Sequence, residues 1–311
     1  MKRRRLIIDC DPGVDDATAL LLAFASPKEL DILGVTVVAG NTGLAQTVRN
    51  ARIIRQIAKR EDVPVYAGCA RPMVRDIVDA GEFHGESGLG PLPIFEPDAP
   101  AAEGHAVDFI VRTLMAADEK VTLAVTGPAT NVAMALVLEP RIAAKIAHIV
   151  VMGGARSAGG NITASAEFNI FADPHAAHVM LTAGCQVTMF GLDATYQVLT
   201  TPARVTALEA VATEAARASA LLMRFSNELE VKPPRRAGSP LHDPCTIAWL
   251  LKSDLFVVSG AKVSVETNAG LAFGHTAVEF RADADEVNAN WVIQADGQGV
   301  FDLIVDRLGR L

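Results

Sequence analysis

Apolar and polar positions along this chain alternate between strand-like runs and helical spacing. Leu6-Ile7-Ile8 is a short apolar run closed by a turn signal at Pro12-Gly13, which reads as a buried strand. Ala17 to Ala25 reads as a helix. Asp31 to Val38 is a strand ending at Gly40-Asn41, and helical spacing follows from Leu44 to Lys59. Pro64 to Gly68 is a short third strand. His105 to Ala117 is helical, and Val121 to Val125 is a strand ending at Thr126-Gly127-Pro128. Asn131 to Leu138 is a helix, and His148 to Met152 a strand ending in Gly153-Gly154. Asp173-Pro174 opens a further helix, with Asp as N-cap and Pro in the first turn. Gln186 to Phe190 is a strand ending at Gly191-Leu192-Asp193. One long helix is expected from Pro202 to Leu229, and a loop with three prolines over Val231 to Pro240. Another helix runs from His242-Asp243-Pro244 through Leu251. Lys262 to Glu266, Thr276 to Phe280 and Trp291 to Gln294 are strand-like, and Gly299 to Leu308 is a closing helix.

This alternation predicts an α/β fold: an open, mostly parallel sheet with helices on both faces and the last strands as an antiparallel edge. With no repeat, low-complexity segment or linker, one domain is expected over 1–311. Residues Arg71 to Pro100, rich in Gly and Pro, read as a long surface excursion of the kind that carries function. Ligands of open α/β sheets bind beyond the carboxyl ends of the strands. Asp11, Asn41, Thr126, Met152 and Asp193 all stand at expected strand ends, so they are expected to converge on one rim.

The first of those ends carries the strongest chemical signal. Asp9, Asp11, Asp15 and Asp16 fall within eight positions around the Pro-Gly turn. Strand side chains alternate, so Asp9 and Asp11 share a face and Cys10 points the other way. Acids this dense repel one another unless a cation or protons offset them. Carboxylates without adjacent Cys or His suit Ca²⁺ or Mg²⁺. The spacing is not that of an EF-hand, because Leu20 stands where a bidentate Glu belongs.

Weaker signals lie elsewhere. His242 beside Asp243 suits a general acid or base, although an Asp at a helix start is also a common cap. The run Phe83-His84-Gly85-Glu86-Ser87-Gly88-Leu89-Gly90 is Gly-rich but lacks the ending of a phosphate loop. Asn161, Glu167 and Asn169 offer groups for sugar hydroxyls, and Phe168 offers a ring face. His105, His148, His175, His178 and His275 lack acidic partners and read as structural or surface residues, and Trp249 and Trp291 as core.

Totals narrow the class. A formal charge of −8 over 311 residues argues against a nucleic-acid-binding surface. Cys10, Cys69, Cys185 and Cys245 form no CxxC pair and fit a reducing cytoplasm, with packing roles. The basic start Met1-Lys2-Arg3-Arg4-Arg5 is followed by an apolar run that stops at Asp9, too short for an export signal. No run is long enough to span a membrane. A cytoplasmic location is expected.

Taken together, the motifs resemble the inosine–uridine-type nucleoside hydrolases, the N-ribohydrolases. Asp9-Cys10-Asp11-Pro12-Gly13-Val14-Asp15-Asp16 is similar to that family's DxDPGxDD signature. Val38-Ala39-Gly40-Asn41, His84-Gly85-Glu86-Ser87-Gly88, Thr126 to Asn131, Met152-Gly153-Gly154, Glu167-Phe168-Asn169 and His242-Asp243-Pro244-Cys245 follow in the family's order. The resemblance implies a Rossmann-like fold and Ca²⁺-dependent hydrolysis of ribonucleosides to ribose and free base. It implies Asp11, Asp16, Asp243 and the backbone carbonyl of Thr126 as Ca²⁺ ligands. Asp15, Asn41 and Asn169 would hold the ribose diol, and Asn161 and Glu167 the 5′-hydroxyl, with Met152 packed nearby. His84 and His242 would face the leaving base, with Asp11 as general base and His242 as acid or donor. It further implies a homodimer or homotetramer.

The segment Phe225 to Pro240 departs from the family pattern. It has no Tyr or Trp after Phe225 and carries Glu228, Glu230, Lys232, Arg235 and Arg236, which leaves purine and pyrimidine substrates both open. Two rival readings stand beside this one. Asp9-x-Asp11 with Asp302-x-x-x-Asp306 suits a haloacid-dehalogenase-type phosphatase, and a non-catalytic nucleoside sensor would keep the same fold.

Overall fold

The first strand forms where the apolar run predicts it, and its two faces feed two different cores. In the computed structural model, which describes residues 3–78, 81–229 and 236–311, β1 spans Arg4–Cys10. Leu6, Ile8 and Cys10 pack with the helix Val14–Phe24 on one side of the sheet. Ile7 packs on the other side with Val125 and Ile149. Asp9 shares the face of Ile7, as period-two alternation requires.

The remaining strands are β2 (Leu30–Val37), β3 (Val65–Ala67), β4 (Val121–Val125), β5 (Ile146–Met152), β6 (Val187–Phe190), β7 (Phe256–Val265), β8 (Thr276–Glu279) and β9 (Ala289–Ala295). They form a sheet in the order β3-β2-β1-β4-β5-β6-β9-β7-β8. From β3 through β2, β1, β4, β5 and β6 to β9 each strand runs parallel to the next, whereas β7 is antiparallel to β9 and to β8. The expected antiparallel edge is therefore present. β7 is longer than its pattern suggested because it changes partner midway. Phe256 to Ala261 pair with β9, and Lys262 to Val265 with β8.

Sheet order reverses between β1 and β4, since β2 and β3 lie to one side and β5 and β6 to the other. The chain leaves β1 and β4 toward opposite sides, which opens a crevice beyond their carboxyl ends. Among the described residues no helix is long and apolar enough to cross a membrane.

One helical expectation is corrected. The long helix over 202–229 is two helices, Pro202–Glu209 and Glu214–Leu229. Thr213 causes the break. Its hydroxyl accepts from the Ala216 N–H, which starts a new helix, and donates to the Leu308 carbonyl. Short helices at Phe168–Ala172 and Leu192–Thr195 carry too few turns to show a period. Among the described residues the excursion after β3 has only the short helix Gly81–His84. It is fastened by Arg55, whose guanidinium is buried and donates to the carbonyls of Val63 and Ala99. His148 is buried against Thr188 and Trp249, and Trp291 lies in the core, as their contexts predict.

Candidate active site

Asp11 leaves β1 just as the chain turns through Pro12-Gly13 into the helix Val14–Phe24. It is fully buried. Its Oδ2 accepts the Asn41 N–H at 2.7 Å, while its Oδ1 is buried with no hydrogen-bond partner. Two glycines allow this. A Cβ on Gly127 would lie 2.5 Å from Asp11 Oδ1, and one on Gly40 would overlap Oδ2. Gly40→Ala is therefore expected to displace the carboxylate and reduce activity more than it reduces folding, measured as kcat beside the melting temperature.

Asp16 lies one turn into the helix. Its Oδ2 accepts the Gly13 N–H at 3.0 Å and the Asn41 amide at 3.1 Å, and its Oδ1 accepts the Thr126 hydroxyl at 2.8 Å. Oxygens of Asp15, Asp16 and Asp243 lie within 4.8 Å of one another. Burial, reinforced by the neighbouring Asp15 charge, pushes the Asp16 carboxyl up to about 7. Burial with the surrounding acids likewise raises Asp11 and Asp243. Such a cluster is starved of positive charge, and its oxygen-only donors match a hard cation.

Above the acids lies a cavity of about 170 Å³ lined by Asp15, Asn41, His84, Thr126, Met152, Asn161, Glu167, Phe168, Asn169, His242 and Asp243. Asp11 and Asp16 are not on its wall. Asn41 donates its amide hydrogens to the Asp11 carbonyl and to Asp16, so its Oδ1 is what remains for a ligand. Asn169 likewise donates to the carbonyls of Thr126 and Met152. The Thr126 carbonyl keeps a second lone pair for a cation. Asn161 accepts the Phe168 N–H, which leaves its amide hydrogens for a ligand. Glu167 caps the helix Phe168–Ala172, taking N–H bonds from Gly154, Asn169 and Ile170, and burial raises its carboxyl.

The Gly-rich run reaches the cavity through a loop that needs glycine. Gly88 has φ of +81°, and Asn50 ties the loop to the Pro-Gly turn by donating to the carbonyls of Pro12 and Ser87. His84 Nδ1 then accepts the Val14 N–H at 3.1 Å, and burial holds the ring below the usual imidazole range. Across the cavity, His242 Nδ1 is 2.8 Å from the Thr195 hydroxyl.

Sequence reasoning placed Asp193 on this rim, and here it is corrected. Asp193 turns away and accepts the backbone N–H groups of Arg156, Ser157 and Ala158. The neighbouring Tyr196 lines the cavity instead, tilted against His242 with the Arg236 guanidinium 3.8 Å above its ring. Tyr196 and Thr195 escaped notice because nothing local to them is unusual. Of the charged residues singled out in the departing segment, Glu230, Lys232 and Arg235 lie outside the described residues. Asp9 does not line the cavity. It accepts from Thr36 and Asn131, and burial pushes it up to about 7. Asp302 and Asp306 lie on the helix Gly297–Leu308, bonded to Gln298 and Arg310. The phosphatase pairing is thus not assembled.

Comparison with known proteins agrees with this geometry. A family profile described as inosine-uridine preferring nucleoside hydrolase matches residues 6–302. The chain belongs to that family, and it is a ribonucleoside hydrolase acting on N-glycosyl bonds. It is 41% identical to the pyrimidine-specific ribonucleoside hydrolase RihA of Salmonella agona over 97% of both chains. Among solved structures it is similar to a purine-preferring ribonucleoside hydrolase from Gardnerella vaginalis, with TM-score 0.91, 31% identity and 98% of each chain covered. A plant nucleoside hydrolase, PpNRh1, matches with TM-score 0.91 at 27% identity over 99% of each chain.

Proposed function

We propose that this chain is a Ca²⁺-dependent ribonucleoside hydrolase of purine or pyrimidine nucleosides, acting in nucleoside salvage as one domain over 1–311. The observation that carries the metal and substrate reading is the buried acid cluster at the sheet's reversal point, directly beneath a cavity lined by amide oxygens and two histidines. Asp11, Asp16, Asp243 and the Thr126 carbonyl would hold the cation, and the unpartnered Asp11 Oδ1 fits that role. Asp15 also stands close enough to contribute. A cation bound there would supply an oriented, more acidic water.

The chain's own residues do the rest. Asp11 takes the proton of the attacking water. Asp15 and the Oδ1 atoms of Asn41 and Asn169 accept the ribose 2′- and 3′-hydroxyls. Asn161 donates to the 5′-hydroxyl and Glu167 accepts from it, with Met152 and Phe168 packed against the sugar. As the glycosidic bond breaks, positive charge develops on the ribose, and the surrounding carboxylates stabilise it. The bonding pair leaves with the base, where His242 and His84 meet its negative charge.

A panel of inosine, uridine and cytidine, assayed for free base and reducing sugar with Ca²⁺ present, tests this reading. Absence of turnover on all of them, with binding retained, would favour the sensor reading. The Arg236–Tyr196 stack adds a prediction. Arg236 only donates hydrogen bonds, so it suits a base with carbonyl acceptors. Tyr196→Leu removes the ring beneath the guanidinium and is expected to raise KM for uridine or inosine by about twofold to thirtyfold, with kcat nearly unchanged. A homodimer or homotetramer is also proposed. The exposed Met134, Val137 and Leu138 on the helix Thr130–Leu138 support it, and sedimentation measures it.

A further inference from the structure

We propose that Thr195 is a positioning residue that fixes the tautomer of His242, so that the neutral ring presents Nε2–H to the departing base. The inference rests on the hydrolase reading for its consequence in turnover, but not for its geometry. Thr195 follows β6 on the short helix Leu192–Thr195 and is fully buried. Its hydroxyl lies 2.8 Å from His242 Nδ1, and among the described residues it has no other hydrogen-bond partner.

That isolation decides the direction of the bond. A hydroxyl carries one hydrogen, and a buried donor left unsatisfied is costly. If Nδ1–H donated to Thr195, the hydroxyl hydrogen would have no acceptor. Thr195 therefore donates to Nδ1 whenever His242 is neutral, and the ring hydrogen sits on Nε2. His84 reaches the same tautomer by a different route, because a backbone N–H cannot accept and Val14 donates to its Nδ1. Both histidines line the cavity, and in both neutral rings the hydrogen sits on Nε2. The two locks differ in kind. The one on His84 is main chain and survives any side-chain change at Val14 short of proline. The one on His242 is a single side-chain hydroxyl, which substitution can remove.

Thr195→Val keeps the shape and deletes the donor. On uridine or inosine, kcat is expected to fall by about tenfold or more. On p-nitrophenyl riboside, whose leaving group needs no proton, kcat is expected to stay within about twofold. Thr195→Ser is expected to restore most of the loss. Nitrogen NMR of the imidazoles, at a pH where His242 is neutral, is expected to show Nε2–H in the wild type and a mixture of tautomers in Thr195→Val. Equal loss on both substrates, no loss on either, failure of Ser to rescue, or Nδ1–H in the wild type would each overturn the assignment. Thr195→Ala repeats the comparison if valine disturbs folding. A wild type inactive on every nucleoside would instead count against the hydrolase reading, and the NMR result would still decide the role of Thr195.

Discussion

Asp11→Asn is expected to lower kcat on nucleosides by between about a hundredfold and ten-thousandfold, the span of a lost general base. The change should leave the fold in place. Asn is nearly isosteric with Asp, and its oxygen can still accept the Asn41 N–H that Oδ2 accepts now. What changes is the other arm. Oδ1 is buried without a partner, and in the variant a carboxamide NH₂ takes its place. That group carries no negative charge, cannot take a proton from water, and points hydrogens toward any cation held by Asp16 and Asp243. Loss of turnover should therefore come with weaker Ca²⁺ binding. Asp9→Asn is the control, two positions away on the same strand. Asp9 bonds to Thr36 and Asn131 and is raised by burial without the charges of Asp15 and Asp16 that act on Asp11, so its variant should keep kcat within a few fold. Wild-type kcat in Asp11→Asn would remove Asp11 from the mechanism. Greater damage from Asp9→Asn would invert the roles of the two acids.

The contrast between these two acids also shows how much of the molecule can be read from its sequence. Alternation along Leu6 to Cys10 is enough to put Ile7 and Asp9 on one face and Cys10 in the opposite core, as found. Most strands and most helices of eight or more residues follow from periodicity, because burial of one face imposes it. Strand order does not. That the sheet reverses between β1 and β4 depends on which strands pair, and no local pattern encodes it. The site divides the same way. Asp11, Asp15, Asp16 and Asn41 announce themselves by density or by position at a turn. Thr195 and Tyr196 do not, since their role comes from His242 and Arg236, some forty residues later in the chain. Asp193 looked the better candidate because an acid at a strand end is a familiar signal. Here backbone N–H groups of the 156–158 loop claim it instead. Thr213 misled for a related reason, because a Thr inside a helical pattern is unremarkable until its hydroxyl finds Ala216 and Leu308.

Removing bound cation with a chelator is expected to abolish turnover and to lower the melting temperature, and returning Ca²⁺ should restore both. A cation at a hundredfold excess over its Kd contributes about 2.7 kcal/mol, which is roughly 4 °C for a chain of this size. Mg²⁺ should restore less, because crowded carboxylates and a carbonyl suit the larger, more flexible shell of Ca²⁺. The dependence on pH gives the sharper test. In the stripped protein, burial pushes Asp9 and Asp16 up to about 7 and raises Asp11 and Asp243 as well. An unfolded Asp titrates near about 3.9. Between these values the folded acids hold protons that the unfolded chain has released. The contribution of these four acids to the stability of the stripped protein should accordingly be greatest below about pH 4 and fall as pH rises toward about 7. In the loaded protein the cation favours the carboxylate forms of Asp11, Asp16 and Asp243, so their share of this loss should be absent while that of Asp9 remains. The gap in melting temperature between loaded and stripped protein should therefore widen as pH is raised from about 4 to about 7. Paired melting curves across that range measure it directly. A gap that stays constant or narrows would mean that Asp11, Asp16 and Asp243 are not the cation's ligands, whatever the effect of the chelator on turnover.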